Sequence, residues 1–130
     1  MIHQIDQASN DNPYKNKGIR RIIKAGGYSL KGLQAAWTGE AAFRQECMLA
    51  VAFLATLTLF DVSSMERIVL VLVTVLVLVV ELLNSAIEAV VDRISLQYHP
   101  LAGQAKDIGS AAVFVSLFLW LYVCIEVFWL

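Results

Sequence analysis

Thirteen consecutive residues, 68–80 (IVLVLVTVLVLVV), carry no charge. They run without a Gly or Pro into ELLNSAIEAVVD at 81–92, and the pattern predicts one long helix over 65–92. At about 100° per residue, positions i, i+3, i+7 and i+11 share a face. Glu81, Asn84, Glu88 and Asp92 fall on such a stripe. Carboxylates within or beside a bilayer are costly, and they face a bundle interior or a wet cleft and work there. A helix end emerging into water accounts for Asp92 and partly for Glu88. It accounts poorly for Glu81 and Asn84, which have apolar residues on both sides.

Two further apolar runs follow the same logic. Residues 47–60 are uncharged. Reaching the ~20 residues a span needs requires 41–46 as well, so the first span is placed at 40–60 with Arg44 and Glu46 near one interface. Residues 61–64 form a turn. The stretch 95–103, containing Pro100, reads as a loop, and the third span is placed at 107–130. Its aromatics Trp120, Tyr122, Phe128 and Trp129 gather toward the far end like an interfacial belt. Upstream, 1–18 is polar and reads as a flexible tail. Over 19–39, Ile19, Ile22, Ile23, Leu30, Leu33 and Trp37 share one helical face, with Lys17, Arg20, Arg21, Lys24 and Lys31 roughly opposite. That is the pattern of a helix lying in the headgroup plane, with Gly26, Gly27 and Gly32 as weak points. The expected fold is an all-α membrane protein: three transmembrane helices plus an N-terminal amphipathic interfacial helix, one domain over 1–130.

Composition agrees with this reading. Of 130 residues, 58% are hydrophobic and 16% charged, and the apolar residues come in runs rather than in alternation. A soluble domain of this length does not need so much apolar surface. A net charge of −1 gives no ground for a nucleic-acid partner. Cys47 and Cys124 both sit in apolar runs and read as small buried residues rather than a disulfide or metal pair. Lys and Arg concentrate in the N-terminal segment and in the second loop (Arg93, Lys106). The first turn carries only Arg67 and the C-terminus none. The N-terminus is therefore expected in the cytoplasm and the C-terminus outside.

The candidate chemistry follows from depth. If the 65–92 helix enters from outside near Met65, a core of ~30 Å is used up after ~20 residues, near Asn84. Glu81 then lies just inside the inner boundary and Glu88 beyond it. One stripe joins a greasy level to a wet one, which suits a reaction between a lipid headgroup and a water-soluble partner. Lys106-Asp107-Ile108-Gly109-Ser110 is a second polar cluster, with Lys106 and Ser110 one turn apart. Lys106 can balance phosphate charge; an ordinary helix start with Asp107 near the N-cap explains the cluster equally well. Glu40 lies at the same level. With Glu88 it could hold Mg2+, which binds through one or two carboxylates plus phosphates. There is no Walker sequence and no kinase Gly-rich or catalytic-loop signature.

Five segments carry a resemblance: RIIKA (21–25), GYS (27–29), EAAFRQE (40–46), ExxNSAIEAVVDR (81–93) and AKDxGSAA (105–112). With them the chain resembles the small integral-membrane prokaryotic diacylglycerol kinases, from about Ile19 to its C-terminus. The resemblance implies an ATP-dependent lipid kinase, homotrimeric and multi-pass in the bacterial inner (cytoplasmic) membrane, with Mg2+ entering as MgATP. It makes Glu81 the catalytic base and Glu40 and Glu88 the metal-holding acids. ATP contacts are implied at Arg21, Tyr28, Glu40, Glu88, Gln97, Tyr98, His99, Lys106 and Asp107. Implied lipid contacts on the first helix are Arg21, Ala25, Gly26, Gly27, Tyr28, Ser29, Leu30, Gln34, Ala35, Ala36 and Trp37. Others follow at Ala42, Phe43, Arg44, Gln45 and Glu46, and at Leu59, Phe60, Asp61, Val62 and Arg67. Glu81, Glu88 and Ser110 join them, with Cys124, Ile125, Glu126, Val127, Phe128 and Trp129 on the last helix. Asn84, Asp92 and Gly109 support the site. Leu30 stands where the family has a familiar Trp, Gln34 where it has an Arg, and Gln97 where it has an acid.

Two other readings compete. An undecaprenol kinase would share the fold and the acid stripe. A small ion or proton transporter would use the stripe as a path. Transporter sites often sit on helices broken by Gly or Pro, and none interrupts the three apolar runs. A non-catalytic assembly factor leaves Glu81 and Asn84 without a role.

Overall fold

The computed structural model describes residues 18–94, 97 and 99–129. Four helices follow one another: α1 (Ile19–Gly39), α2 (Ala41–Thr56), α3 (Ser64–Ile94) and α4 (Pro100–Trp129). No strand occurs among the described residues. The expected tail lies outside them, Gly18 excepted. The chain divides into two compact units, one ending at Ala35 and the other running Ala36–Leu130.

In the first unit, Gly18 turns the chain into α1 with φ of 74°, a conformation glycine adopts at little cost. Its carbonyl accepts from the Arg21 N–H at 3.0 Å. Gly26, Gly27 and Gly32 do not interrupt the helix, although each costs ~1 kcal/mol relative to Ala. Ile19, Ile22, Ile23, Leu30 and Leu33 are exposed, as are Arg20, Arg21, Lys24 and Lys31. The helix thus offers an apolar face and a basic one, as the sequence predicts.

In the second unit, Glu40 is extended (φ −110°, ψ 114°) and separates α2 from the helix before it. Arg44 secures this elbow: its Nη1 donates to the carbonyls of Trp37 at 2.8 Å and Thr38 at 3.3 Å. These are end carbonyls of the kind a helix leaves without intrahelical partners. At the other end of α2 the Thr56 and Thr58 hydroxyls donate to the carbonyls of Phe53 and Ala55, at 2.6 and 2.8 Å. A capping box opens α3: the Ser63 N–H donates to Glu66 Oε2 at 2.7 Å, and the Glu66 N–H to Ser63 Oγ at 3.3 Å.

α3 and α4, of 31 and 30 residues, are long and apolar enough to cross a bilayer. Their most apolar windows are only 33% and 11% buried within the chain. A core helix of a soluble protein would be mostly buried, so faces this apolar and this exposed suit a membrane protein rather than a soluble one. α2 is shorter than the 40–60 span expected: its 16 residues cover about 24 Å. α4 begins at Pro100, about two turns before the expected start at 107. Proline suits the first helical position, where no N–H partner is needed. His99 caps the helix: its Nδ1 accepts from the Leu101 N–H at 3.2 Å. Residues 100–103 are therefore helical rather than loop, and Asp107 lies about two turns inside the helix, not at its N-cap.

α3 packs against both α2 and α4. Its buried residues are Leu70, Val73, Thr74, Val77, Glu81 and Asn84, a stripe with helical spacing that begins apolar and ends polar. At the apolar end Leu57, Leu70 and Cys124 form the core, with Phe53, Leu54, Trp120, Val123, Val127 and Phe128 packed around them. The Trp120 indole N–H donates to Thr74 Oγ1 at 3.0 Å, and that hydroxyl donates to the Leu70 carbonyl at 2.7 Å. Cys47 and Cys124 are free, and Cys124 is buried.

Leu70 is 0% exposed and Leu72 62%. Leu70→Ala should therefore lower unfolding free energy in mixed micelles by about 2–5 kcal/mol. Leu72→Ala should stay within ~0.5 kcal/mol of the parent.

Candidate active site

The polar end of the α3 stripe is the site. Glu81 is 5% exposed and Asn84 9%, in line with apolar residues that seal the helix interface. Glu88, one turn on, is half-buried, and its Oε1 accepts from Asn84 Nδ2 at 3.4 Å. Asn84 is seated by a missing side chain. A Cβ at Gly109 on α4 would collide with Asn84 Oδ1 and stand 3.4 Å from its Cγ. Only glycine lets α4 approach α3 over the carboxamide at this level.

Two turns beyond Asn84, Asp92 meets Lys106 of α4 in an ion pair of 2.6 Å. The side chains are 49% and 36% exposed, a setting in which ion pairs contribute ~0–1 kcal/mol. Lys106 can leave Asp92 for a phosphate at little cost.

α2 brings a further acid, Glu46, into this region. Glu46 feels the charge of Glu81, and Glu81 feels those of Glu88 and Glu40. Among the described residues, the buried side-chain oxygens without a hydrogen-bond partner are Glu46 Oε2, Asn84 Oδ1 and Ser85 Oγ. Unpartnered acceptors beside several carboxylates fit a site that receives donors or a cation. Among the described residues no three His, Cys, Asp or Glu side chains are gathered closely enough to hold a metal by themselves. Glu40 and Glu88, both felt at Glu81, fit the sparser demand of Mg2+, which takes one or two carboxylates and completes its shell with phosphate and water.

A profile described as prokaryotic diacylglycerol kinase matches residues 27–128. The chain belongs to the prokaryotic diacylglycerol kinase family. Among relatives of this kinase family, a diacylglycerol kinase of Pseudomonas aeruginosa is 56% identical over 106 residues, covering 81% of this chain and 86% of its own. One of Escherichia coli K12 is 54% identical over 100 residues, covering 77% and 82%. One of Haemophilus influenzae is 44% identical over 104 residues, covering 80% and 88%.

The other family-implied positions distribute unevenly. Arg21, Ala25, Gly26, Gly27, Tyr28, Ser29, Leu30, Gln34 and Ala35 lie on α1 in the first unit, all exposed. Ala36 and Phe43 are buried and Trp37 is 46% exposed, while Ala42 and Gln45 are exposed. Arg44 is committed to the elbow carbonyls. Gln97 and His99 line a recess with Val91, Ile94 and Leu101; Tyr98 lies outside the described residues. Asp107 and Ser110 are exposed on α4. Leu59, Phe60, Asp61, Val62 and Arg67 sit at the other end of α3; Arg67 is 14 residues from Glu81, about 21 Å along the helix. Cys124, Ile125, Glu126, Val127, Phe128 and Trp129 belong to that same end, with Cys124 in the core. One copy of the second unit therefore does not gather all its lipid positions round Glu81. Sequence reading missed that Glu46 is a neighbour of Glu81, because their meeting is tertiary. Its only signal is an acid heading the uncharged run 47–60.

Gly109→Ala should lower the unfolding free energy by ~1–3 kcal/mol through overpacking. Adding Asn84→Ala, which removes the colliding atoms, should restore most of the loss. Denaturation midpoints of the single and double variants check this.

Proposed function

We propose that this diacylglycerol kinase transfers the γ-phosphate of ATP to the free hydroxyl of diacylglycerol, giving phosphatidic acid and ADP. The observation that carries the reading is Glu81: a buried carboxylate where the α3 stripe passes from apolar to polar, the depth expected for a lipid hydroxyl. Glu81 accepts the hydroxyl proton as the lipid oxygen attacks the γ-phosphorus and the bond to the β–γ bridging oxygen breaks. Phosphoryl transfer relies on positioning and charge neutralisation. Lys106, exchanging Asp92 for phosphate, supplies a positive charge. Glu40 and Glu88 would hold Mg2+, which when bound offsets the negative charge of the phosphates. Asn84 orients Glu88. Gln97, Tyr98 and His99 are the nucleotide side of the site.

On the same reading, residues 57–60 complete a third crossing with α2. The N-terminus faces the cytoplasm and the C-terminus the outside of the inner membrane, with α1 in the headgroup plane. The chain assembles as a homotrimer. The scatter of implied lipid contacts over both ends of the bundle supports sites shared between copies. Mixed trimers of Glu81→Gln and Lys106→Leu should then regain activity that neither parent has.

With Mg2+, pure protein and labelled ATP, diacylglycerol should be phosphorylated in preference to undecaprenol; the reverse preference sinks the substrate assignment. Glu81→Gln should reduce kcat ~10²–10⁴-fold, the usual contribution of a general base, with MgATP binding retained. Glu88→Gln should instead raise the KM for MgATP. A folded Glu81→Gln protein with near-normal kcat would make the carboxylate merely structural.

A further inference from the structure

Between α2, α3 and α4 lies a groove of about 410 Å3, within the ~300–1,000 Å3 usual for ligand sites. Ala50, Phe53, Val77 and Leu117 are among its apolar walls, and Glu46 is the one charged residue on its lining. From Glu46 to Thr56 it follows eleven residues of α2, ten rises or about 15 Å. That is half of the ~30 Å hydrocarbon core, the depth of one leaflet and the reach of one lipid chain.

Its two ends differ chemically. At one, Glu46 Oε2 is buried with no partner among the described residues. Val77 on the wall lies one turn from Glu81 on the same buried stripe. At the other end Trp120 is fixed by its 3.0 Å hydrogen bond to Thr74. Its ring stands edge-on to Phe53, with centroids 4.9 Å apart. The groove is thus polar at the level of the site and narrowed by an aromatic pair deeper in the membrane, about one turn short of its far end at Thr56.

Resting on the kinase reading above, we propose that this groove seats one acyl chain of the diacylglycerol substrate, so that Phe53 and Trp120 set the preferred chain length. A chain lying there brings the glycerol end to Glu46 and Glu81, where the lipid's single hydroxyl finds its acceptors. An unbranched chain asks nothing polar of the walls. A bilayer fills an apolar cleft with chains in any case; the carboxylate end makes this one select the substrate's.

The test compares kcat/KM for dioctanoylglycerol and dipalmitoylglycerol in the same mixed micelles. Trp120→Ala deepens the groove and should shift the ratio toward the longer chain by about tenfold, since a single methylene in a hydrophobic pocket is worth about that much. Ala52→Leu narrows the groove and should shift it toward the shorter chain. A diacylglycerol with a diazirine at its chain end, irradiated with the wild-type protein, should label peptides containing Phe53 or Trp120; this readout needs neither turnover nor a folded variant. Label confined to other peptides, or an unchanged ratio in both variants while they remain folded, overturns the proposal. So does efficient disulfide cross-linking of Ala52→Cys between copies, which would make the groove an interface. If the wild type phosphorylates no diacylglycerol, the kinase reading fails on its own, and the labelling still decides whether the groove holds the chain.

Discussion

A carboxylate has to be kept at the margin of a hydrocarbon medium, and the architecture follows from how that is done. Glu81 stays there because α3 is seamless. The stripe that buries Leu70, Val73, Thr74 and Val77 against its neighbours also buries Glu81 and Asn84. Apolar packing at one end of the helix holds the acid in place at the other. Without that packing, α3 could rotate to send Glu81 toward water, the cheaper environment for a charge.

The division of labour along α3 also explains the rest of the second unit. The half with Leu57, Leu70 and Cys124 is packed with aromatics and has its few polar atoms paired, as with Thr74 and Trp120. The half with Glu46, Asn84 and Ser85 leaves acceptors unpaired, and glycine rather than a large side chain meets the facing helix. Rigidity is concentrated where nothing reacts, and open hydrogen-bonding capacity where a substrate enters.

Much of this was legible in the sequence because its signals are local. An uncharged run ending in Glu81-x-x-Asn84-x-x-x-Glu88 fixes both the helix and the face that carries the acids, and the α3 bounds differ from those expected by only one or two residues. The amphipathic stretch at 19–39 was legible for the same reason. The start of α4 was not, since a proline at a first helical turn and a proline in a loop look alike until His99 is seen capping the helix. Nor was the partnership of Glu46 with Glu81, or of Gly109 with Asn84. Each joins two helices, and no spacing along one helix encodes it. Arg44 enters as a lipid contact through the resemblance alone; its use at the elbow joins a side chain of α2 to carbonyls at the end of the helix before it, which no spacing encodes.

The contact at Gly109 has a mechanical side. Where a backbone lies directly on a carboxamide, neither helix can move inward. Trp120 is eleven residues away on one side, about 16 Å along the axis, where its hydrogen bond to Thr74 ties the same two helices again. Lys106 is three residues away on the other side, about 4.5 Å. Two fixed points on one pair of helices set their separation, so the ammonium group that meets Asp92 hangs less than one turn beyond a clamp, a short reach for a site whose chemistry tolerates little misplacement.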